Sequence, residues 1–174
     1  IGYVGRETLD TLSSAQRIAK GAARDLALYE TEGCLSLHAL FVERGGGVSA
    51  ERFAELLAAD IERTAVEFPV GTREAGDRAA LGSARALAAF RAAAGEGRVF
   101  SDENATHLLV ADPPRSQPPF FLPRALALFS VDSPAEAQAY LQTHAIGLEA
   151  LATTSQRADV AALAVAAGAA RIAR

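Results

Sequence analysis

The last third of the sequence constrains the fold most, because short apolar runs alternate there with helical segments. The pattern predicts, in chain order, a strand at 125–131, a helix from Pro134, a strand at 147–152, a helix from about 156 to 167, and a closing strand at the end. Ser133 to Glu136 has the sequence of a capping box, with proline at the first helical position. Strands that are apolar throughout and separated by helices indicate a mostly parallel sheet covered on both faces. We therefore expect an α/β fold.

The first part of the chain predicts the same two kinds of element. Apolar residues spaced by three and four indicate helices, which we place from Glu7 to about Tyr29, from Ser49 to Pro69, and from about Arg73 to Ala94. Short apolar runs indicate strands, which we place at 37–43, 97–100 and 106–110. The last two strands flank a turn at 102–104 and read as a hairpin.

Two segments predict irregular structure. Five of the seven prolines lie between Pro113 and Pro123, and a backbone that lacks so many N–H donors forms a loop. This loop is the one interruption large enough to separate two subdomains. Gly45 to Gly47 lacks the spacing of a phosphate-binding loop, so we interpret it as a turn.

Composition sets limits on the class of protein. The chain has 174 residues, 50% of them hydrophobic and 22% charged, which suits one globular domain spanning residues 1–174. A formal net charge of -4 argues against a nucleic-acid partner. No apolar stretch approaches the ~20 residues of a membrane span, and one cysteine cannot form an internal disulfide, so we expect a cytoplasmic setting. The chain starts at Ile1 and contains no methionine, so we interpret it as a segment of a longer protein.

Cys34 is the one cysteine, and it lies between a predicted helix and a predicted strand. A thiol in such a loop can reach a ligand, and Gly33 before it allows close approach of the backbone. Cys34 is therefore a candidate nucleophile, with inert packing as the alternative. Nearby Glu30 and Glu32 would oppose a thiolate, and His38 would either counter them or pack in the core. The three histidines and the cysteine are too scattered for a metal site.

The residues around Cys34 resemble a known family. Val4 to Leu9, followed by Asp25 to Ser36, is similar to the bioluminescence-type acyl-CoA reductases, which are relatives of the aldehyde dehydrogenases. The family carries its nucleophilic cysteine in a stretch D-x-x-L-Y/F-D/E-Q-Q-G/A-C-x-S-P-H/Q. Thr31 and Glu32 replace the two glutamines, and Leu37 replaces the proline.

The resemblance implies an aldehyde-dehydrogenase-like catalytic domain and a reaction. Cys34 would attack an acyl-CoA or another acyl thioester, and the reduced form of NADP or NAD would supply the hydride that reduces the thioacyl intermediate to an aldehyde. Leu35, Ser36 and His38 would line the substrate pocket, and the backbone N–H of Cys34 would be an oxyanion donor. The family's nucleotide-binding domain precedes the cysteine motif, so the cofactor would be bound mainly outside this chain.

The dehydrogenase motif E-x-F-G-P has a partial counterpart at residues 119–123. Phe121 and Pro123 match it, whereas Pro119 replaces the glutamate. The resemblance therefore implies that Phe121 contacts the cofactor and gives no ribose contact.

Two other functions stay open from the sequence. One is a non-catalytic α/β module for subunit association, in which Cys34 is merely buried. The other is a cysteine-dependent acyltransferase or thioesterase that never uses nicotinamide. The oligomeric state is also open, with a homo-oligomer among the alternatives.

Overall fold

A seven-stranded sheet forms the centre of the fold. The computed structural model describes residues 1–104 and 106–173. The strands in chain order are β1 Gly2–Val4, β2 Ala39–Glu43, β3 Arg98–Phe100, β4 Leu108–Ala111, β5 Ala125–Val131, β6 Ala150–Thr153 and β7 Arg171–Ala173. They lie side by side as β3-β4-β5-β2-β1-β6-β7, with β3 antiparallel to β4 and the remaining pairs parallel. The predicted α/β fold with a mostly parallel sheet is confirmed.

Helices cover both faces of this sheet. Their bounds are α1 Leu12–Ala27, α2 Ala50–Glu67, α3 Ala75–Ala93, α4 Pro134–Thr143 and α5 Ala158–Ala166. Leu40 and Val42 point from β2 into a core shared with α1 and α2, whereas Phe41 points into the opposite core with α4 and α5. This alternation follows from the two-residue period of a strand. A third, smaller core joins α3 to β4 and the start of β5.

The first residues differ most from the sequence-based prediction. Gly2–Val4 forms β1, a strand that the sequence analysis did not predict, between β2 and β6. The first helix begins at Leu12 instead of Glu7, because the Thr11 hydroxyl caps it by accepting from Ser14 N at 3.2 Å. Its last α-helical residue is Ala27, and a turn at Leu28–Thr31 follows, in which Tyr29, Glu30 and Thr31 have positive φ values.

The two segments predicted to be irregular take different roles. Residues 113–123 form no helix or strand, as predicted, and they connect β4 to β5, which pair with each other. The proline-rich loop is therefore not a junction between subdomains. The Gly45 to Gly47 turn packs against the chain after β1, where a Cβ at Gly47 would clash with the Asp10 carbonyl oxygen. The predicted hairpin is confirmed, and β3 and β4 are its two strands. The predicted closing strand is β7. Arg174 lies outside the described residues.

A buried ion-pair cluster fixes the carboxyl ends of the central strands. Glu43 at the end of β2 is fully buried and accepts hydrogen bonds from Arg6 Nε at 2.9 Å and Arg6 Nη2 at 2.6 Å. Arg157, which follows β6, donates to the same carboxylate at 2.5 Å. A buried carboxylate needs this pairing, because its desolvation would otherwise oppose folding. None of the described helices is long and apolar enough to cross a membrane.

His107 introduces a pH-dependent term into stability. The imidazole lies just before β4 and is almost fully buried. Burial lowers the pKa of His107, Asp102 and Glu62 partly oppose this effect, and the charges of Arg124 and Arg73 lower the pKa further. The folded state therefore favours the neutral ring.

The free energy of unfolding should fall as the pH drops below about 6.5, because the unfolded chain binds a proton at His107 before the folded chain does. The loss per pH unit is at most about 1.4 kcal/mol for one group. In His107→Gln the loss between pH 7.5 and 5.5, measured by urea denaturation, should be smaller than in the parent. Equal losses in the two proteins would contradict this prediction.

Candidate active site

Cys34 lies at the tip of a tight turn that precedes the central strand. Ser36 N donates to the Gly33 carbonyl at 2.9 Å, which closes the turn around Cys34 and Leu35. The Cys34 side chain is exposed. The next regular element is β2, which pairs with β1 on one side and β5 on the other. The predicted placement of Cys34 in a loop between a helix and a strand is confirmed.

The backbone before this turn takes an unusual conformation. Tyr29, Glu30 and Thr31 have φ values of 56°, 53° and 62°, so three consecutive residues with side chains are left-handed. Thr31 is buried, and its hydroxyl accepts from the backbone N–H of Arg124 at 2.5 Å. Such a conformation persists only where the surroundings hold it.

Two arginines hold Glu30. Its carboxylate accepts from Arg73 Nη2 at 2.9 Å and from Arg124 Nη2 at 2.5 Å. The side chains of Arg73 and Arg124 are 8% and 4% exposed, whereas that of Glu30 is 25% exposed. The charge of Glu30 is therefore balanced, so the prediction that Glu30 is a free negative neighbour of the thiol is wrong.

A cleft of about 460 Å³ opens beside Cys34. Its walls are mostly apolar and come from the turn, from the end of α1 and from the amino ends of the strands beside β1: Leu28, Tyr29, Leu35, Leu37, Ala150 and Ala152. Ser36 also lines the cleft. The cleft therefore offers an aliphatic surface next to the thiol.

Two charged residues that were not predicted as site residues lie at this cleft. They are Asp25 near the end of α1 and Arg171 at the start of β7. Desolvation raises the pKa of the Asp25 carboxyl, and the charge of Arg24 partly opposes it. Asp25 belongs to the stretch that resembles the family motif, so the sequence could have indicated it as a site residue. Nothing in the sequence indicated that Arg171 lies near Cys34.

His38 and Phe121 contact each other outside the lining of the cleft. Their ring centroids are 5.1 Å apart with an interplanar angle of 48°. His38 Nδ1 is buried and has no hydrogen-bond partner among the described residues. Burial is the main cause that lowers the pKa of His38, so the ring is mostly neutral near pH 7. Phe121 is 66% exposed.

The structure therefore separates the predicted site residues into two groups. Cys34, Leu35 and Ser36 line one cleft, and His38 pairs with Phe121. Thr31 links the two regions, because it precedes the Cys34 turn and contacts the segment after Phe121 through Arg124 N. Within residues 1–104 and 106–173, no cluster of three or more His, Cys, Asp or Glu side chains could hold a metal ion.

Solved structures, two of them of NAD-dependent dehydrogenases, share this fold. An NAD-dependent aldehyde dehydrogenase from Burkholderia multivorans has a TM-score of 0.72 at 20% identity, over 99% of this chain and 34% of that chain. A NAD-dependent benzaldehyde dehydrogenase from Corynebacterium glutamicum has a TM-score of 0.68 at 15% identity, over 99% of this chain and 38% of that chain. Proline utilization A from Bradyrhizobium japonicum has a TM-score of 0.74 at 16% identity, over 99% of this chain and 18% of that chain.

These likenesses define the class of fold as aldehyde-dehydrogenase-like. The chain spans about a third of the length of the first dehydrogenase. No curated protein matches the chain at a significant level. Residues 2–174 match the family described as "Acyl-CoA reductase (LuxC)", so the chain belongs to the LuxC acyl-CoA reductase family.

Iodoacetamide should label Cys34 in the folded chain at a rate within about tenfold of the rate in urea, because an exposed thiol needs no opening of the structure. The label is measured by mass spectrometry of the peptide that contains Cys34. Cys34→Ser is the control and should take up no label. Labelling that begins only when the chain unfolds would contradict the structure.

Proposed function

We propose that the protein containing this chain reduces an acyl thioester to an aldehyde, with Cys34 as the nucleophile. The observation that carries the proposal is an exposed Cys34 on a turn at the amino end of the central strand, beside an apolar cleft, in a chain of the LuxC acyl-CoA reductase family. The cleft suits the acyl part of the substrate, because burying aliphatic surface is favourable.

The chemistry of this chain begins with a thiolate at Cys34. Its sulfur attacks the carbonyl carbon of the thioester, a new C–S bond forms, and the bond to the coenzyme A sulfur breaks. Coenzyme A leaves as a thiolate and takes a proton from solvent. The backbone N–H of Cys34 lies next to the carbonyl oxygen on which negative charge develops, so it is the proposed oxyanion donor.

The second half of the reaction needs a reductant. A reduced nicotinamide cofactor would supply the hydride that takes the acyl carbon to the aldehyde level. The bond between that carbon and the Cys34 sulfur then breaks, which releases the aldehyde and returns Cys34 as a thiolate. Phe121 fits this cofactor in part, since its exposed ring offers an apolar face to a ligand. Pro119 stands where the dehydrogenase motif has a glutamate, so a ribose contact is not part of the proposal.

The remaining parts of the proposal concern the whole protein. We propose that residues 1–174 are the cysteine-bearing domain, that other residues bind most of the NADP or NAD, and that acyl-CoA is the thioester. A cytoplasmic setting is part of the proposal, because a reducing compartment keeps a lone thiol reactive. Homo-oligomer formation stays among the proposals.

In the intact protein that contains this chain, Cys34→Ser should lower aldehyde formation from acyl-CoA and NADPH by about a thousandfold or more, because the covalent step is lost. The decrease in NADPH absorbance and the thioacyl mass on the Cys34 peptide are measured together. Release of coenzyme A without use of NADPH or NADH would favour the thioesterase or acyltransferase alternative. Unchanged acyl-CoA with an unmodified Cys34 would favour the association module.

The isolated 174 residues should form no aldehyde with acyl-CoA and NADPH, because the proposed nucleotide-binding residues lie elsewhere. The same absorbance assay is run beside the intact protein at equal concentration. The chain should still react with iodoacetamide at Cys34, which shows that the thiol is present and accessible. Aldehyde formation by the isolated chain would refute the proposal that residues outside this chain bind most of the cofactor.

A further inference from the structure

We propose that Glu30, Arg73 and Arg124 are positioning residues for Cys34, which hold the turn of the nucleophile at the angle that acyl transfer needs. The inference rests on the proposed function of Cys34. None of the three side chains lines the cleft, so they act through the backbone and do not touch the substrate.

The first observation is the strained backbone immediately before the turn. Tyr29, Glu30 and Thr31 are all left-handed, and each such residue with a Cβ is unfavourable in isolation. The turn that contains Cys34 begins at Gly33, which is only two residues after Thr31. A change of conformation at 29–31 would therefore swing Cys34 away from its cleft.

The second observation is the set of contacts that opposes this change. Glu30 receives one hydrogen bond from Arg73, in the connection between α2 and α3, and one from Arg124, directly before β5. The partners are 43 and 94 positions away in the sequence. Thr31 adds a bond from the Arg124 backbone. Two segments that are distant in the sequence therefore contact the left-handed residues.

The third observation is that both arginines depend on Glu30. Their side chains are at least nine-tenths buried, and the Nε atoms of Arg73 and Arg124 have no hydrogen-bond partner among the described residues. A buried guanidinium needs an anionic partner, and Glu30 serves both. The ion pairs therefore fix Glu30 more firmly than a pair at the surface would.

The consequence for catalysis is geometric. Attack requires the Cys34 sulfur and its backbone N–H to face the same carbonyl group, and a small displacement of either lowers the rate strongly. Loss of the ion pairs should therefore slow acyl transfer to Cys34, while binding of the thioester and the chemical reactivity of the thiol change little.

The test uses the intact protein, which is mixed with saturating acyl-CoA in the absence of reductant and quenched in acid at successive times. Mass spectrometry measures the amount of thioacyl peptide at each time, which gives the acylation rate. Glu30→Ala should lower this rate by about 10- to 100-fold, with less than about a threefold change in the half-saturating acyl-CoA concentration and in the rate of iodoacetamide labelling. Glu30→Gly should lie between Glu30→Ala and the parent, because glycine accepts the left-handed backbone without a penalty.

The matched control is Glu32→Ala, which removes an exposed carboxylate two residues along the same loop and should change the acylation rate by less than about twofold. Cooperative urea unfolding checks that each variant folds. If Glu30→Ala does not fold, Glu30→Gln replaces it; the amide keeps the length and one acceptor, so the rate should fall by about three- to tenfold.

The outcomes are distinct. An acylation rate that is unchanged in folded Glu30→Ala or Glu30→Gln would overturn the positioning role, as would a Glu30→Gly rate equal to that of the parent. If the rates of iodoacetamide labelling and of acylation fall by the same factor, the substitution has disrupted the loop in general, and the positioning role is also overturned. If the parent protein forms no thioacyl peptide, the proposed function itself has failed, and this result is recognised before any variant is compared.

Discussion

The structure depends on the parallel pairing of β2 with a strand on each side. β2 is buried along its whole length, with β1 and β5 in register beside it and helices on both faces. Movement of β2 would break hydrogen bonds on both sides and disrupt two cores, so the strand holds its ends in place. The turn with Cys34 leads into this strand, and the buried Glu43 lies at its other end. A nucleophile benefits from such a support, because precise geometry is part of catalysis.

The two ends of the central strands carry different electrostatics. At the carboxyl ends, Glu43 is paired with Arg6 and Arg157, and this cluster joins the last residue of β2 to the segments that follow β1 and β6. At the amino ends, the cleft beside Cys34 is mostly apolar. In many open α/β sheets the ligand lies at the carboxyl ends, whereas here the ion pairs occupy that edge and the exposed thiol lies at the opposite one.

The loop with Cys34 shows how charge and conformation are linked. Glu30 has a sequence position that suggests a negative neighbour for the thiol, yet its carboxylate is bound by Arg73 and Arg124. The same contacts hold a backbone that three residues with side chains would otherwise avoid. Strain at this place is consistent with a functional loop, since strained conformations are retained where the surroundings and the function require them.

The sequence by itself determined the fold class, most elements and the place of Cys34 in a loop. Apolar periodicity and helix caps depend on residues close together in the chain, so 125–131 was predicted with the bounds of β5. β1 was missed because three residues carry too little periodicity, and its strand character comes from pairing with β2 and β6. Only the tertiary structure decided that Arg73 and Arg124 meet Glu30 and that His38 packs on Phe121. These contacts join residues far apart in the chain, and the packing of the sheet and its loops sets their distances.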